Sequence, residues 1–176
     1  MDWLILPFEA VRDFMELGGD VLTLIAVTIF AMWVLILERL IFFRTGLTAL
    51  SKAAVEKWQQ RTDRNSWYAH QSRDKLLSRF SMAANSGVPV IQTLVALCPL
   101  LGLMGTVTGM IEVFDVMAIS GTGNARSMAS GVSKATIPTM AGMVGALSGV
   151  FLATMITRTI ERRVERLEEE LQFEDK

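Results

Sequence analysis

The sequence predicts an all-α membrane protein with three transmembrane helices. Two stretches, residues 88–111 and 135–157, contain no Asp, Glu, Lys, Arg or His, and both are longer than the roughly 20 residues that a helix needs to cross a bilayer. A third apolar stretch covers residues 21–37. Hydrophobic residues make up 51% of the chain, which favours a small integral membrane protein surrounded by lipid over a soluble domain.

The first predicted element precedes the first apolar stretch. Residues 1–19 carry apolar side chains at helical spacing, with Trp3 suited to a membrane interface, and they predict a short amphipathic helix on the membrane surface. Acidic residues outnumber the single base Arg12 in this region, whereas a secretory signal peptide begins with positive charge. The first transmembrane helix is therefore predicted for residues 20–43, with Asp20 as its outer limit.

The later elements follow from composition in the same way. Residues 44–87 contain little Gly or Pro and predict helices with one apolar face, with a turn at Trp67 and Tyr68. Residues 118–124 have the composition of a tight loop. In residues 158–176 apolar side chains recur at heptad spacing, so this helix either faces solvent or packs on neighbouring subunits.

Lys and Arg residues fall mainly on one side of the predicted spans. Eight lie in residues 44–87 and five in 158–176, against one in 1–20 and two in 112–134. Basic residues prefer the cytoplasmic side of a membrane, so we predict a periplasmic N-terminus and a cytoplasmic C-terminus. The predicted segments are periplasmic 1–19, transmembrane 20–43, cytoplasmic helical loop 44–87, transmembrane 88–117, periplasmic loop 118–134, transmembrane 135–157 and cytoplasmic helix 158–176.

Charge and composition exclude several classes of function. The net charge is −1 and there is no basic face, so we expect no nucleic-acid partner. The single cysteine, Cys98, can form no disulfide within the chain. With one histidine, His70, and no glycine-rich phosphate loop, we expect no catalytic residues, no metal and no cofactor, and hence no enzyme.

Small residues recur at a spacing of four within the two uncharged stretches. Gly105 and Gly109 form one GxxxG pattern, Gly145 and Gly149 form another, and Gly142 lies on a nearby face. Lipid tails are as apolar as leucine, so membrane helices associate where small residues let their backbones approach closely. These glycines are therefore predicted helix-packing residues in a dense multi-helix assembly.

Two motifs resemble a known family. The run Pro-Leu-Leu-Gly-Leu-Met-Gly-Thr-Val-Thr-Gly-Met-Ile at residues 99–111 is similar to the second membrane helix of the MotA/TolQ/ExbB proton channel family. The run Gly-Val-Ser-Lys-Ala-Thr-Ile-Pro-Thr-Met-Ala-Gly-Met-Val-Gly at residues 131–145 is similar to the start of its third helix. Three spans and a short cytoplasmic loop resemble the ExbB branch more than the four-span flagellar stator subunits.

The resemblance implies a subunit of a proton-driven machine in the bacterial inner membrane. Such subunits form a ring, expected to be a pentamer, whose second and third helices line a pore around an ExbD-like single-span partner. The partner would supply a membrane aspartate, and Thr106 and Thr139 match the family threonines expected to face it. Work drawn from the proton motive force would pass through a TonB-like protein to nutrient uptake, including iron uptake. The alternatives are a TolQ-like channel for envelope maintenance and a non-conducting scaffold.

The residues themselves support one part of this expectation. A proton path across hydrocarbon needs an ionisable relay, and the two uncharged stretches contain none. If this chain conducts protons, a second chain must supply the carboxylate. Thr106 and Thr139 would then solvate that group through hydrogen bonds, whereas Thr93, Thr108 and Thr154 are expected to bond to carbonyls of their own helices.

Charged residues at the outer ends of the spans leave alternatives open. Lys134 lies where many relatives of this family have a glutamate, five residues before Thr139. It is expected to extend towards the interface, or to meet a carboxylate of the partner, of Glu112 or of Asp115. Glu112 and Asp115 either form an acidic rim or are a solvated helix end, and Thr136 is a possible pore or rim residue.

Overall fold

A computed structural model describes residues 5–61, 66–120 and 125–171. In this part of the chain there are four helices, α1 (Ile5–Gln59), α2 (Trp67–Asn85), α3 (Val88–Ser120) and α4 (Ala125–Glu170). Three helical stretches are long and apolar enough to cross a membrane, namely Gly18–Gln59, Trp67–Ile119 and Gly131–Glu170. The prediction of an all-α membrane protein with three such helices is confirmed. Trp3 and loop residues 121–124 lie outside the described residues.

Helix α1 changes direction beside the predicted start of the first span. Gly19 has φ 64° and ψ −161° inside the helix, in the left-handed region that glycine enters without a Cβ penalty. Asp20 and the apolar stretch follow directly. Beyond residue 43 the helix continues to Gln59, because the sequence there offers neither proline nor a glycine pair to end it.

Serine capping determines where α2 begins. The backbone N–H of Ala69 donates to the Ser66 hydroxyl at 3.3 Å, which is the usual interaction of a helix N-cap. Trp67 and Tyr68 are consequently the first helical residues, with their rings edge to face at 5.3 Å, and do not form the turn that was predicted for them. The turn at the other end of α2 uses Gly87, whose φ of 78° directs the chain into α3.

The helices α3 and α4 extend further than the uncharged stretches. Helix α3 ends at Ser120 and α4 begins at Ala125, so much of segment 118–134 is helical and is not an extended loop. The physical reason is composition, since residues 125–134 contain Ala, Met, Ser and Lys without proline. The ends of the uncharged stretches therefore do not predict the helix ends.

Contacts divide the chain into two groups, one formed by residues 1–33 and 92–150 and the other by residues 34–91 and 151–176. The core of the first group includes Leu22, Ile25, Met32, Val95 and Cys98. The core of the second includes Ile36, Phe43, Leu47, Trp58, Phe80, Ala84, Ile156, Ile160, Leu167 and Leu171. No polar or charged side chain of the described residues is fully buried.

The apolar stripe of the C-terminal helix is covered by the chain itself. Ile160, Leu167 and Leu171 are at most 2% exposed, although the sequence left open whether they face solvent or another subunit. Polar contacts hold the same region. The Arg73 guanidinium donates to the carbonyl oxygens of Leu171 at 3.0 Å and Glu168 at 3.3 Å, so α2 satisfies carbonyls that the end of α4 leaves without helical partners.

Candidate functional site

Glycines of α3 lie at close contacts with the backbone of α4. A Cβ atom added to Gly102 would lie 2.9 Å from the Thr139 Cα, and one added to Gly109 would lie 2.8 Å from the Ala135 Cα. Gly105, between them, faces the Pro138 ring. Backbone therefore packs against backbone along this seam, as small residues allow in membrane helices.

Glycines of α4 contact both neighbouring helices of the first group. A Cβ atom at Gly142 would lie 2.5 Å from the Cys98 carbonyl oxygen. Gly145 faces Ile29 of α1, and Gly149 faces Met32 of α1 as well as Val95 of α3. The two GxxxG patterns thus lie at contacts within one chain, where they hold α1, α3 and α4 together.

Thr139 links the two helices by a hydrogen bond. Its hydroxyl donates to the Gly102 carbonyl oxygen at 2.8 Å, at the point where the missing Gly102 side chain lets α4 approach. The oxygen of this hydroxyl retains lone pairs that can accept a further hydrogen bond. Thr139 can therefore receive a proton donor from outside the chain while its own proton is held in the seam.

The other threonines of the site bond to their own helices. Thr106 donates to the Leu103 carbonyl at 2.7 Å, and Thr136 donates to the Ser133 carbonyl at 2.8 Å. Thr108 donates to the Met104 carbonyl at 3.2 Å, which confirms the expectation for that residue. Thr106 was expected to be less inclined to such a bond, but the preceding turn offers the nearest acceptor.

Thr106 and Thr139 flank the same contact between helices. Gly105 and Pro138 face each other across the seam, and the two threonines are the next residues along their helices. Both are half-buried. Each predicted pore threonine is thus one residue away from this contact, in a region without ionisable side chains.

A cavity of about 470 Å³ lies at one end of this seam. Three helices contribute a charged residue to its wall, namely Asp20 from α1, Glu112 from α3 and Lys134 from α4. Asp115, for which the sequence left open an acidic rim with Glu112 or a solvated helix end, does not line this cavity. The remaining lining residues are Gly18, Gly19, Val21, Gly105, Thr108, Gly109, Val113, Val116, Met117, Met128, Gly131, Ala135 and Pro138.

Sequence reasoning missed Asp20 as a member of this cluster. It treated Asp20 only as the limit of the first span, because nothing local connects residue 20 to residues 112 and 134. A signal was nevertheless present. Asp20, Glu112 and Lys134 are each the charged residue directly beside an apolar stretch, so they belong to the same end of three spans that pack together.

Both helices of the seam also carry large apolar side chains that the chain leaves uncovered. On α3, Leu103 is 59% exposed and Val107 is 55% exposed. On α4, Val144 is 70% exposed and Leu147 is 73% exposed. Such a surface is stable in lipid or against another apolar surface, not in water.

These features define a multi-pass α-helical membrane protein whose second and third spans pack closely through glycine. A model of the MotA/TolQ/ExbB proton channel family matches residues 41–169. The chain therefore belongs to that family.

Similar curated proteins carry ExbB names. The chain is 47% identical over 64 residues to biopolymer transport protein ExbB-like 1 of Synechocystis, covering 35% of this chain and 25% of that protein. It is 30% identical over 104 residues to ExbB-like 3 of Synechocystis, covering 58% and 46%. It is 34% identical over 90 residues to exbB1 of Vibrio cholerae, covering 51% and 40%. The aligned part thus spans less than half the length of each of these relatives.

Proposed function

We propose that this chain is the ring-forming channel subunit of a complex driven by the proton motive force. The observation that carries the proposal is the uncharged α3–α4 seam with Thr106 and Thr139 flanking its Gly105–Pro138 contact. Hydroxyls can orient water and accept a hydrogen bond from a carboxyl group, but they cannot carry a proton as a net charge. The proton carrier in this proposal is therefore an aspartate on an ExbD-like single-span partner.

A ring explains the uncovered apolar surfaces of α3 and α4. In the proposed assembly, expected to be a pentamer, these two helices line the pore and contact neighbouring copies, while α1 faces lipid. The proposed orientation has residues 1–19 and 118–134 in the periplasm and residues 44–87 and 158–176 in the cytoplasm. This orientation rests on the distribution of Lys and Arg.

The work done by the complex is proposed to pass through a TonB-like protein to uptake across the outer membrane. Support comes from the relatives, which are named biopolymer transport proteins. A TolQ-like role in envelope maintenance shares the same channel chemistry, and the two roles differ in what a deletion strain loses. Loss of growth on chelated iron, restored by the wild-type gene, is the result expected for TonB-type service.

Proton flux into liposomes tests whether this chain forms the channel while the partner supplies the proton-carrying aspartate. The chain alone should dissipate a pH gradient no faster than empty liposomes, and addition of the single-span partner should produce flux. If the chain alone conducts as fast as the full complex, the proposal is wrong. A complex that assembles without conducting would identify the scaffold alternative.

Two conservative variants test whether the proton path passes Thr106 and Thr139 in the complex. Thr106→Val and Thr139→Val keep the side-chain shape while removing the hydroxyl, so we expect each to lower partner-dependent flux by about tenfold, the effect of one hydrogen bond to a charged group. Thr139→Ser and Thr106→Ser, which keep the hydroxyl, should retain flux. Wild-type flux in both valine variants would remove these threonines from the mechanism.

A further inference from the structure

The cavity beside Gly19 has a mixed set of charges that the proton-channel proposal does not use. Asp20 and Glu112 provide two carboxylates and Lys134 provides one ammonium group. All three side chains are exposed, and none of them is within 4.0 Å of an oppositely charged group among the described residues. Their hydrogen-bonding capacity is therefore available to a ligand.

The shape of the cavity suits a small molecule with an apolar part. Its volume of about 470 Å³ lies within the roughly 300–1,000 Å³ typical of ligand pockets. A Cβ atom added to Gly19 would meet nothing within 4 Å, so the backbone there borders open space. Val113, Val116 and Met117 form an apolar wall next to the charged groups.

The depth of the cavity in the membrane restricts the chemical classes of ligand that can reach it. Asp20 precedes the first apolar stretch, Glu112 follows the second and Lys134 precedes the third. Charged side chains are costly inside hydrocarbon, so this end of the spans lies at the interface, where lipid headgroups are the abundant ligands.

We propose that this cavity binds a phospholipid whose headgroup carries only a phosphate and a primary ammonium group, that is, a phosphatidylethanolamine. Lys134 binds the lipid phosphate, and Asp20 and Glu112 accept hydrogen bonds from the lipid ammonium. The apolar wall covers the glycerol and the first carbons of the acyl chains. The site places α1 and the α3–α4 seam around one lipid, independently of whether the chain conducts protons.

The charge pattern predicts selectivity among lipids. A phosphatidylglycerol headgroup has no cation for the two carboxylates. A phosphatidylcholine headgroup has a cation without N–H donors, so it forms no hydrogen bond to Asp20 or Glu112. Phosphatidylethanolamine satisfies all three charged residues at once.

Native mass spectrometry of the purified complex in detergent tests this selectivity. The three lipids are added at equal concentration with identical acyl chains, and bound lipid is counted per subunit. We expect phosphatidylethanolamine to be retained about tenfold or more over the other two, as a charge-assisted hydrogen bond predicts. Equal retention of all three lipids, or preference for phosphatidylglycerol, would overturn the proposal.

Matched variants separate this site from general electrostatics. Asp20→Asn and Glu112→Gln should each abolish most of the preference for phosphatidylethanolamine over phosphatidylcholine. Asp115→Asn removes the same charge one turn from Glu112 but outside the cavity, so it should leave the preference unchanged. If Asp115→Asn has the same effect as Glu112→Gln, the cavity is not the binding site.

Two further measurements complete the test. Lys134→Met should lower the amount of bound phosphatidylethanolamine, while the detergent-solubilised complex keeps its oligomeric mass. Free phosphoethanolamine in excess should not displace the lipid, because the soluble headgroup lacks the apolar contacts. Displacement by the soluble molecule would show that the apolar wall adds nothing to binding, which would overturn this part of the proposal.

Discussion

At the scale of single residues, the missing side chain of Gly109 determines how closely α3 and α4 approach. Its virtual Cβ is 2.8 Å from a backbone atom, the Cα of Ala135, and a backbone in a packed helix cannot move aside as a side-chain tip can. Gly46, also within a helix, would place its Cβ 2.6 Å from the Phe42 ring, which can rotate away. The same glycine-to-alanine change therefore has different consequences at these two positions.

We expect Gly109→Ala to destabilise the folded chain by about 1–3 kcal/mol, the usual cost of overpacking. Gly46→Ala should be within about 1 kcal/mol of wild type, because the gain in helix propensity offsets the movement of the ring. Thermal unfolding in detergent, followed by circular dichroism, measures both. Equal midpoints for the two variants would contradict the backbone contact between Gly109 and Ala135.

Residue chemistry also limits what could be read from the sequence. Because Thr139 has a hydroxyl group within an uncharged span, the sequence indicates that it forms a hydrogen bond and that this bond contributes to packing between the helices. Its acceptor, the Gly102 carbonyl, follows only from how α3 and α4 pack. The membership of Asp20 in the cavity likewise depends on a contact between helices that lie far apart in sequence.

At the scale of elements, the end of α4 is held by a side chain from α2. Arg73 donates to two carbonyl oxygens at the last turn and lies 3.2 Å from the Glu168 carboxylate. The Glu168 side chain is 55% exposed, so that ion pair contributes little. The bonds to the carbonyls are the stronger part of the contact, because the last turn of a helix leaves them unpaired.

We expect Arg73→Met to destabilise the end of α4 by about 1–2 kcal/mol, from the loss of hydrogen bonds to a charged donor. Glu168→Gln should change the stability of this helix end by less than about 0.5 kcal/mol, since an exposed ion pair has a small effect. Hydrogen exchange of the amides in residues 167–171 reports this local stability. Equal acceleration in the two variants would show that the ion pair, and not the carbonyl contact, holds the helix end.

Element boundaries show a second limit of sequence reading. Absence of charge identified the three apolar helices, because burying charge in hydrocarbon is costly over the whole span. It predicts that the third membrane span starts at residue 135, and the helix α4 that contains this span begins earlier, at Ala125. Charged residues end a membrane span without ending a helix, since Lys and Arg are good helix formers.

At the scale of the whole molecule, the exposed apolar surfaces of α1 and of the α3–α4 pair have different predicted neighbours. In the proposed ring, Val107 and Leu147 contact another copy or line the pore, whereas Val27 of α1 contacts lipid. These side chains are 55%, 73% and 59% exposed in the single chain. Exposure in the single chain therefore does not distinguish side chains that contact another copy from side chains that contact lipid. Mutation can distinguish them, because packing between membrane helices depends on side-chain shape while contact with lipid does not.

We expect the double variant Val107→Ala and Leu147→Ala to lower the fraction of chains found in the oligomer, because truncation leaves gaps at a packed interface that the helices cannot close. Val27→Ala should leave that fraction at the wild-type value, since lipid fills the space. Native mass measurement of the detergent-extracted complex with its partner gives the fraction of chains in each oligomeric state directly. Helical content by circular dichroism should be the same in all variants, because these side chains are exposed in the single chain. If the oligomer persists unchanged in the double variant while Val27→Ala disrupts it, α1 forms the contacts between copies and the proposed arrangement of helices around the pore is wrong.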